Sequence, residues 1–336
     1  MRVLIHRLGS IGDFVVSLPC LHLVRRRYPD AEIALLTNQP VAARAAAART
    51  ILDGSGLIDR YITYPVQVRN PRVLGTVWRA VRDFRPELLV YLVERHGVFD
   101  LWRDYFFFHS CGIPTQVGFP FDRDLRECRL HSARPPFWES HAERLARCVA
   151  ALGDAEPDRA ASWDLRLTAA ERAEADRRLP STGDRCIALS IGTKQAVKDW
   201  GQANWRAVLD ALNSSDLGLV LIGADDEREI SAAVASAWRG PLYNVCGEVS
   251  PRVSAAVLAK TRFLLCHDSG PMHLAAAVGT PCVAVFSTKN RRGEWYPFGP
   301  GHRVLYPPSG ASSIQAIPPA AVVAAARTLL ATAYAA

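Results

Sequence analysis

Short apolar runs alternate along the chain with longer segments in which apolar residues recur at helical spacing. Repetition of this pair is typical of βα units on a parallel sheet, so the pattern predicts an α/β fold. The predicted strands cover residues 3–6, 32–37, 60–64, 88–93 and 116–119, then 186–191, 217–222, 263–266 and 282–286. The predicted helices include residues 14–28, 73–84, 205–212, 227–238, 253–260 and 272–278.

The alternation is interrupted once, between residues 152 and 185, where charged residues, Ala and Pro dominate. With 336 residues the chain is about twice the usual domain size, so we interpret the interruption as a domain connection. Two doubly wound domains are predicted, with a cleft between them. Ligands of such sheets bind beyond the carboxyl ends of the strands, so the candidate functional residues are those in the loops that follow the strands.

Composition narrows the class of protein. The hydrophobic fraction of 49% and the charged fraction of 22% are those of an ordinary soluble protein. Residues 1–150 hold 21 basic and 15 acidic side chains, which indicates either an anionic partner or a requirement of solubility alone. Eight cysteines without a C-x-x-C pair predict buried thiols in a reduced compartment, not zinc ligands or disulfides. Charges at positions 2 and 7 disfavour a signal peptide, so we expect a cytoplasmic protein.

The loop after the first strand contains Gly9, Ser10, Gly12 and Asp13. Its backbone amides could face an anion, but it lacks the third glycine of a dinucleotide fingerprint, and the second strand has no acidic residue at its end. NAD binding is therefore disfavoured. Two interpretations of Asp13 remain: a helix cap, which is the commoner use of Asp at this position, or a general base in the cleft.

Two loops in the second half favour phosphate binding. The loop after residue 191 carries Thr193, Lys194 and Lys198, and only four lysines occur in the chain. A lysine ammonium suits a phosphate oxygen. The loop after residue 286 carries Lys289, which either binds phosphate or belongs to a basic surface.

The segment from residue 264 to 279 is the most specific signal. A strand ends at His267, and Pro271 opens a helix that follows Asp268, Ser269 and Gly270. The amides of Ser269 and Gly270 are suited to a diphosphate, and Asp268 is suited to a neutral sugar hydroxyl.

Three further features stay open between a binding role and an ordinary one. His273 is either a ligand contact or a packed core histidine. Glu227, in the acidic loop after residue 222, either accepts hydrogen bonds from ribose hydroxyls or is a solvated helix-start acid. Arg123 and Arg126 lie in an arginine-rich loop, residues 119–137, that meets an anionic acceptor or is merely solvated.

These motifs together resemble glycosyltransferase family 9, the heptosyltransferases of lipopolysaccharide core assembly. The resemblance rests on five motifs and covers nearly the whole chain. They are L-G-S-I-G-D at residues 8–13, S-L-P at 17–19, K-D-W at 198–200, G-A at 223–224 and D-S-G-P-M-H-L-A-A-A at 268–277.

The resemblance implies a GT-B fold, in which two Rossmann-like domains face a central cleft. The expected division is an acceptor-binding domain at residues 1–165, a connection at 166–184, a nucleotide-sugar domain at 185–317, and a helix at 318–336 that packs back on the first domain. It implies an inverting, metal-independent transfer from a nucleoside-diphosphate sugar, with no cofactor. Members of the family commonly use ADP-heptose as this donor. It assigns Asp13 as base, Lys198 to the diphosphate, Glu227 to the ribose and Asp268 to the donor sugar.

The expected partners are the sugar nucleotide and an anionic or phosphorylated glycan acceptor, with a peripheral contact to the inner face of the membrane and no nucleic acid. Two alternatives remain open: an epimerase of nucleotide sugars and a non-catalytic nucleotide-sugar-binding protein. An epimerase would convert the sugar nucleotide without an acceptor.

Overall fold

The computed structural model describes residues 1–39, 48–65, 70–94, 97–134, 136–180 and 185–331. The chain forms two compact units. The first comprises Met1–Arg166 together with Arg292–Glu294, and the second comprises Leu167–Arg291 and Trp295–Ala336.

The first unit is built on a parallel sheet of five strands in the order β3-β2-β1-β4-β5, beside a separate antiparallel hairpin, β6-β7. The strands are β1 Arg2–His6, β2 Glu32–Asn38, β3 Arg60–Tyr64, β4 Leu88–Tyr91, β5 Thr115–Val117, β6 Leu130–Ala133 and β7 Pro136–Trp138. The helices are α1 Ile11–Val15, α2 Leu18–Arg27, α3 Arg49–Leu52, α4 Pro71–Phe84, α5 Val98–Ser110, α6 Arg123–Arg126 and α7 His141–Cys148.

The second unit is built on a six-stranded parallel sheet in the order β10-β9-β8-β11-β12-β13. Its strands are β8 Cys186–Ser190, β9 Gly218–Leu221, β10 Leu242–Asn244, β11 Leu264–His267, β12 Cys282–Val285 and β13 Arg303–Leu305. Its helices are α8 Ala169–Arg178, α9 Gln202–Leu212, α10 Arg228–Val234, α11 Pro251–Leu258, α12 Gly270–Ala277 and α13 Pro319–Ala331.

Each sheet reverses its strand order beside its first strand. The strand β1 lies between β2 and β4, and β8 lies between β9 and β11. Because the crossovers then diverge to opposite faces, a crevice opens at the carboxyl ends of these central strands. The loops that the sequence singled out after β1, β8 and β11 therefore lie at the binding edge of each sheet.

The predicted strands are all present, with ends shifted by one or two residues, but one predicted helix is divided. Residues 14–28 form α1 and α2, which are separated at Val16 and Ser17. Pro19 lies in the first turn of α2, and since proline has no N–H it is favoured at a helix start and not within one.

The segment predicted as a domain connection is partly a packed helix of the second unit. In α8, Glu171 accepts hydrogen bonds from Arg252 of α11 at 2.5 Å and 2.9 Å, and Arg252 is 3% exposed. Thr168 caps the same helix through the amide of Glu171. Residues 181–184 of the predicted connection lie outside the described residues.

The carboxyl-terminal helix is part of the second unit. The structure packs α13 against α9, β12 and β13, while residues 332–336 of the predicted helix lie outside the described residues. The buried side chains of Val322, Ala326 and Leu329 join the core formed by α9 and the sheet. The apolar stripe of α13 is thus buried against α9 and the strands β12 and β13. Among the described residues, no helix has the length and apolar character needed to cross a bilayer.

Candidate active site

Asp13 lies in the first turn of α1, at the carboxyl end of β1. Its Oδ2 accepts the Ser10 amide at 2.8 Å, and its side chain is 27% exposed. Gly9 has φ of +136°, and a Cβ there would lie 2.2 Å from Asp13 Cγ, so the backbone approaches the carboxylate as only glycine permits. Both interpretations of Asp13 are thus compatible with its position, because the carboxylate caps the helix and still reaches solvent.

A buried arginine that the sequence analysis did not single out holds Asp13 in place. Arg7 is 2% exposed and donates to the Asp13 carbonyl oxygen at 3.1 Å and 3.2 Å, to Asp13 Oδ1 at 3.4 Å and to the Leu92 carbonyl oxygen at 2.7 Å. Burial lowers the pKa of Arg7, while Asp13 and Glu94 act in the opposite direction. Because four hydrogen bonds fix the Arg7 guanidinium, it holds the Asp13 carboxylate in one orientation from the buried side.

The two remaining glycine-loop residues also belong to this corner. The Gly9 amide donates to Asn38 Oδ1 at 2.8 Å, which ties the loop to the end of β2. Gly12 lies within α1, and its carbonyl oxygen accepts the amide of Val16 at 2.9 Å. The loop is therefore rigidly bonded on both sides of Asp13.

The arginine-rich loop is an ion-pair network more than an open basic surface. Arg123 is highly exposed and pairs with Glu127 at 3.2 Å, whereas Arg126 donates to the Phe121 carbonyl oxygen at 2.6 Å. Asp124 accepts from Arg129, and this hydrogen bond lowers the pKa of the Asp124 carboxyl. The exposed side chain of Arg123 can thus contact a ligand, whereas Arg126 stabilises the backbone of the loop.

In the second unit, Lys198 and Asp268 form an ion pair between neighbouring strand ends. Lys198 Nζ lies 2.6 Å from Asp268 Oδ2, and the two side chains are 15% and 5% exposed. Asn290 Nδ2 donates to the same oxygen at 2.6 Å. The K-D-W and D-S-G-P motifs, 70 residues apart, therefore meet through their charged side chains.

His267 links the same two motifs through the backbone. Its Nε2 accepts the Trp200 amide at 3.0 Å and the Trp205 indole N–H at 3.3 Å. Burial lowers the pKa of His267 to about 4, so the ring is neutral and Nε2 is an acceptor near pH 7. This contact fixes the position of the loop that carries Lys198.

The other predicted phosphate residues lie in the same pair of loops. Lys289 Nζ donates to Gln195 Oε1 at 2.6 Å, and Thr193 Oγ1 accepts the Gln195 amide at 3.3 Å. Lys194 is exposed beside them. Together with Lys198, these residues place three lysines in the loops after β8 and β12. Their positive charges would attract a multiply charged anion.

The side chain of the N-cap residue does not cap the first turn of α12. Ser269 is the N-cap, but its Oγ interacts with the His267 carbonyl oxygen at 3.4 Å and does not cap the helix. Gly270 is half-buried at the first helical position. His273 is 3% exposed, with its ring edge-on to Trp295 at 5.9 Å, as expected of a packed histidine.

Glu227 supports the loop after β8. Its Oε2 accepts the Ala224 amide at 2.9 Å, and a Cβ on Gly192 would lie 1.9 Å from its Oε1. The side chain is half-buried, so the carboxylate is packed beneath Gly192 and Gly223 and remains reachable at one edge of the sheet.

Three residues of these sites were absent from the predicted set: Arg7, His267 as an acceptor, and Asn290. Arg7 follows β1 directly, and a charged residue at the end of a buried strand could have indicated a functional role. Nothing in the local pattern identifies Asn290, because its role depends on β11 and β12 being neighbours.

Two doubly wound units with binding loops at the central strand ends define the GT-B class of sugar-nucleotide-dependent enzymes. Residues 106–309 match the sequence profile of glycosyltransferase family 9 (heptosyltransferase). The chain belongs to this family and is a glycosyltransferase. The expected family and the expected fold are both confirmed.

Individual relatives agree with this assignment. The chain is 27% identical to lipopolysaccharide heptosyltransferase 1 of Pseudomonas aeruginosa, over 86% of this chain and 79% of the relative. It is 29% identical to lipopolysaccharide heptosyltransferase 3 of Escherichia coli, over 82% and 80%. The solved structure of E. coli heptosyltransferase WaaC with ADP has a TM-score of 0.70 at 18% identity, covering 98% of this chain and 100% of that one. At that identity the likeness shows the fold.

Protonation of His267 should make the stability of the second unit depend on pH. An unfolded histidine titrates near pH 6.5 and the buried one near 4, so the unfolded state binds more protons between these values. Stability is full above about pH 6.5 and falls by up to about 3 kcal/mol as the pH drops to 4. Urea unfolding of His267→Gln should show a correspondingly shallower loss between pH 7 and pH 4.5.

The exposed variant His109→Gln serves as the matched control and should follow the wild-type pH profile. Equal acid sensitivity of His267→Gln and the wild type would contradict a neutral, buried His267.

Proposed function

We propose that this glycosyltransferase moves a heptose from ADP-heptose to a hydroxyl of the lipopolysaccharide core, with inversion and without a metal in the reacting step. The Lys198–Asp268 pair carries the proposal, since it presents a held cation at strand ends where a diphosphate would bind. The relatives named as lipopolysaccharide heptosyltransferases, and the WaaC structure with ADP, support the choice of sugar, nucleotide and acceptor.

Asp13 acts as the general base in this proposal. Its carboxylate is oriented by Arg7 and by the Ser10 amide, and it is still partly exposed. It takes the proton of the acceptor hydroxyl while the oxygen attacks the anomeric carbon. The bond from that carbon to the diphosphate oxygen breaks, and its electron pair leaves with ADP. A single in-line displacement of this kind inverts the anomeric centre.

The second unit stabilises the leaving group. An ammonium has three N–H donors, and Asp268 holds Lys198 without using all of them, so the diphosphate can accept another. Lys194, Thr193 and Lys289 add positive charge and a hydroxyl around the same loops, and the amides of Ser269 and Gly270 add backbone donors. Glu227 and Asp268 would then address hydroxyls of the ribose and of the sugar.

On the donor side, His273 supports the first turn of α12 from the core. On the acceptor side, the loop of Gly9, Ser10 and Gly12 lies next to Asp13. Arg123 and Arg126 belong to the surface that meets an anionic acceptor. No cofactor enters the reaction, because the sugar nucleotide supplies the activated group.

Asp13→Asn should abolish transfer without unfolding the protein. The amide oxygen can still accept the Ser10 N–H, but it cannot take a proton, so kcat should fall by at least about 100-fold. The measurement is the mass of a lipopolysaccharide-core acceptor after incubation with ADP-heptose, which should rise by one heptose with the wild type.

The exposed substitution Asp30→Asn is the control and should leave turnover unchanged. Turnover by Asp13→Asn at the wild-type rate would reject the base assignment. Conversion of ADP-heptose in the absence of any acceptor would favour an epimerase, and no chemistry with either mixture would favour a non-catalytic binding protein.

Lys198→Met should weaken binding of ADP itself. Loss of one charge-assisted hydrogen bond costs about 1.5–3 kcal/mol, which corresponds to about a 10- to 150-fold rise in Kd. Calorimetric titration with ADP measures this directly. Lys260→Met is the matched control, because Lys260 pairs with Asp176 away from the loops of the site. An unchanged Kd for Lys198→Met would refute the phosphate role.

The peripheral membrane contact is assigned in this proposal to the aromatic face of α5, formed by Phe99, Trp102 and Phe106. These side chains recur at helical spacing and are 83%, 44% and 59% exposed. The Trp102 ring centroid lies 4.5 Å from that of Phe121, which belongs to the arginine-rich loop and whose carbonyl oxygen accepts a hydrogen bond from Arg126. Exposed aromatic rings beside arginines suit the headgroup region of an anionic bilayer.

The double substitution Phe99→Ser with Phe106→Ser should reduce co-sedimentation with vesicles that contain phosphatidylglycerol. Burial of two phenylalanine rings contributes a few kcal/mol, so a loss of at least about tenfold in binding is expected. The exposed Leu242→Ser in the second unit is the control. Equal sedimentation of the double variant and the wild type would exclude this face.

A further inference from the structure

Three potential metal ligands meet in the interior of the first unit, beside Arg7 and Asp13 and at the arginine-rich loop, which contains Cys128. Cys128 Sγ, a ring nitrogen of His141 and a carboxylate oxygen of Glu294 lie within 4.8 Å of one another, and all three residues are buried. We propose that they form a binding site for a divalent transition-metal ion of the zinc class. The reasons lie in the ligand set, the backbone frame and the balance of charge.

The ligand set is one that zinc accepts. Thiolate sulfur, imidazole nitrogen and carboxylate oxygen bind Zn²⁺ at about 2.0–2.3 Å, and tetrahedral geometry then places ligand atoms about 3.3–3.8 Å apart. The observed limit of 4.8 Å requires a contraction of about 1 Å, which side-chain rotation can supply. A hard ion such as Mg²⁺ is disfavoured, because it prefers oxygen ligands alone.

The backbone already holds the three ligand-bearing segments together. The His141 amide donates to the Glu294 carbonyl oxygen at 3.0 Å, and the Trp138 amide donates to the Arg292 carbonyl oxygen at 2.8 Å. Gly293 lies between them with φ of +101°, where a Cβ would come within 2.0 Å of the Trp138 carbonyl oxygen. The segment Arg292–Glu294 is therefore fitted tightly onto β7 and the start of α7.

Cys128 is fixed to the same frame by its neighbour Arg129. The Arg129 amide donates to Glu139 Oε2 at 2.9 Å, and the Glu139 amide donates back to the Arg129 carbonyl oxygen at 2.8 Å. The ligands thus come from rigid positions on the loop before β6, on α7 and on the Arg292–Glu294 segment. Preorganisation of this kind lowers the entropic cost of capturing an ion.

Charged groups of both signs lie near the cluster: the buried arginines Arg7 and Arg144, and the carboxylates of Asp13, Glu94 and Glu294. The carboxylates outnumber the arginines, which favours binding of a cation. The buried Arg144 is offset by Glu94, whose Oε1 lies 3.8 Å from Arg144 Nη2 and 3.3 Å from His141 Nδ1. A carboxylate beside the imidazole is the usual outer partner of a metal-bound histidine. Binding would release the thiol proton of Cys128, so the ion adds two positive charges against one new negative charge and the existing Glu294 carboxylate.

This site would be structural. Three protein ligands leave one tetrahedral position, which a water molecule or the second oxygen of Glu294 can fill. The ion would secure Arg292–Glu294 in the first unit, although the residues on either side of this segment belong to the second. The proposal revises the interpretation of Cys128 as a simple core thiol, and it does not depend on the proposed transfer reaction.

The test uses the full chain, freed of metal by a chelator and reconstituted with Zn²⁺ or Co²⁺. We expect one equivalent of zinc per chain to survive dialysis, and the Co²⁺ form to show a thiolate charge-transfer band with intense visible bands of a tetrahedral site. Loss of an outer partner alone costs 10- to 100-fold in affinity, so Cys128→Ser should bind zinc at least about 100-fold more weakly. Cys148→Ser, a nearby half-buried thiol outside the cluster, should bind as the wild type does.

Absence of retained zinc in the reconstituted wild type would overturn the proposal. So would a Co²⁺ complex without a thiolate band, or equal zinc affinity of Cys128→Ser and the wild type. Because the cobalt spectrum is read on the wild-type chain, it decides the question even if Cys128→Ser does not fold.

Discussion

The ion pair between Lys198 and Asp268 is the interaction on which the second unit's site depends. Removing two charges from water costs more than their attraction returns unless further hydrogen bonds assist, and Asn290 and the Asp268 carbonyl oxygen provide them. Such a pair contributes little to net stability. Its consequence is positional: a lysine at the end of one strand is held at a set place by the end of the next, where an anion can meet it.

The first unit contains a similar ion pair, in which the buried partner is the cation and the more exposed partner is the carboxylate. There a buried arginine, Arg7, holds a partly exposed carboxylate, Asp13, and the Ser10 amide fixes its other oxygen. In both units the charged group that can reach a ligand is at the surface of the crevice, and its partner lies deeper. Each group is oriented before any substrate arrives, which is the condition for efficient proton transfer and for charge stabilisation.

Much of the fold could be predicted from the chain because central parallel strands are buried on both faces. Runs such as residues 3–5 and 282–286 are apolar throughout, so the existence and order of these strands could be predicted from the sequence. The three-residue edge strands β10 and β13 were missed, since each contains polar residues and is too short to show a period. The packing of α13 on α9 could not be predicted either, because an Ala-rich stripe does not specify which surface covers it.

The sequence by itself determined the α/β class, the loops at the strand ends and the residue types suited to an anion and a proton, because these follow from local periodicity and side-chain chemistry. Tertiary structure alone decided which of those residues meet. Strand neighbours in a doubly wound sheet are set by crossovers, so His267 reaches Trp200 and Lys198 reaches Asp268. Cys128 approaches Glu294 because the segment Arg292–Glu294 packs in the first unit. Contacts of that kind arise from packing, and no local pattern contains them.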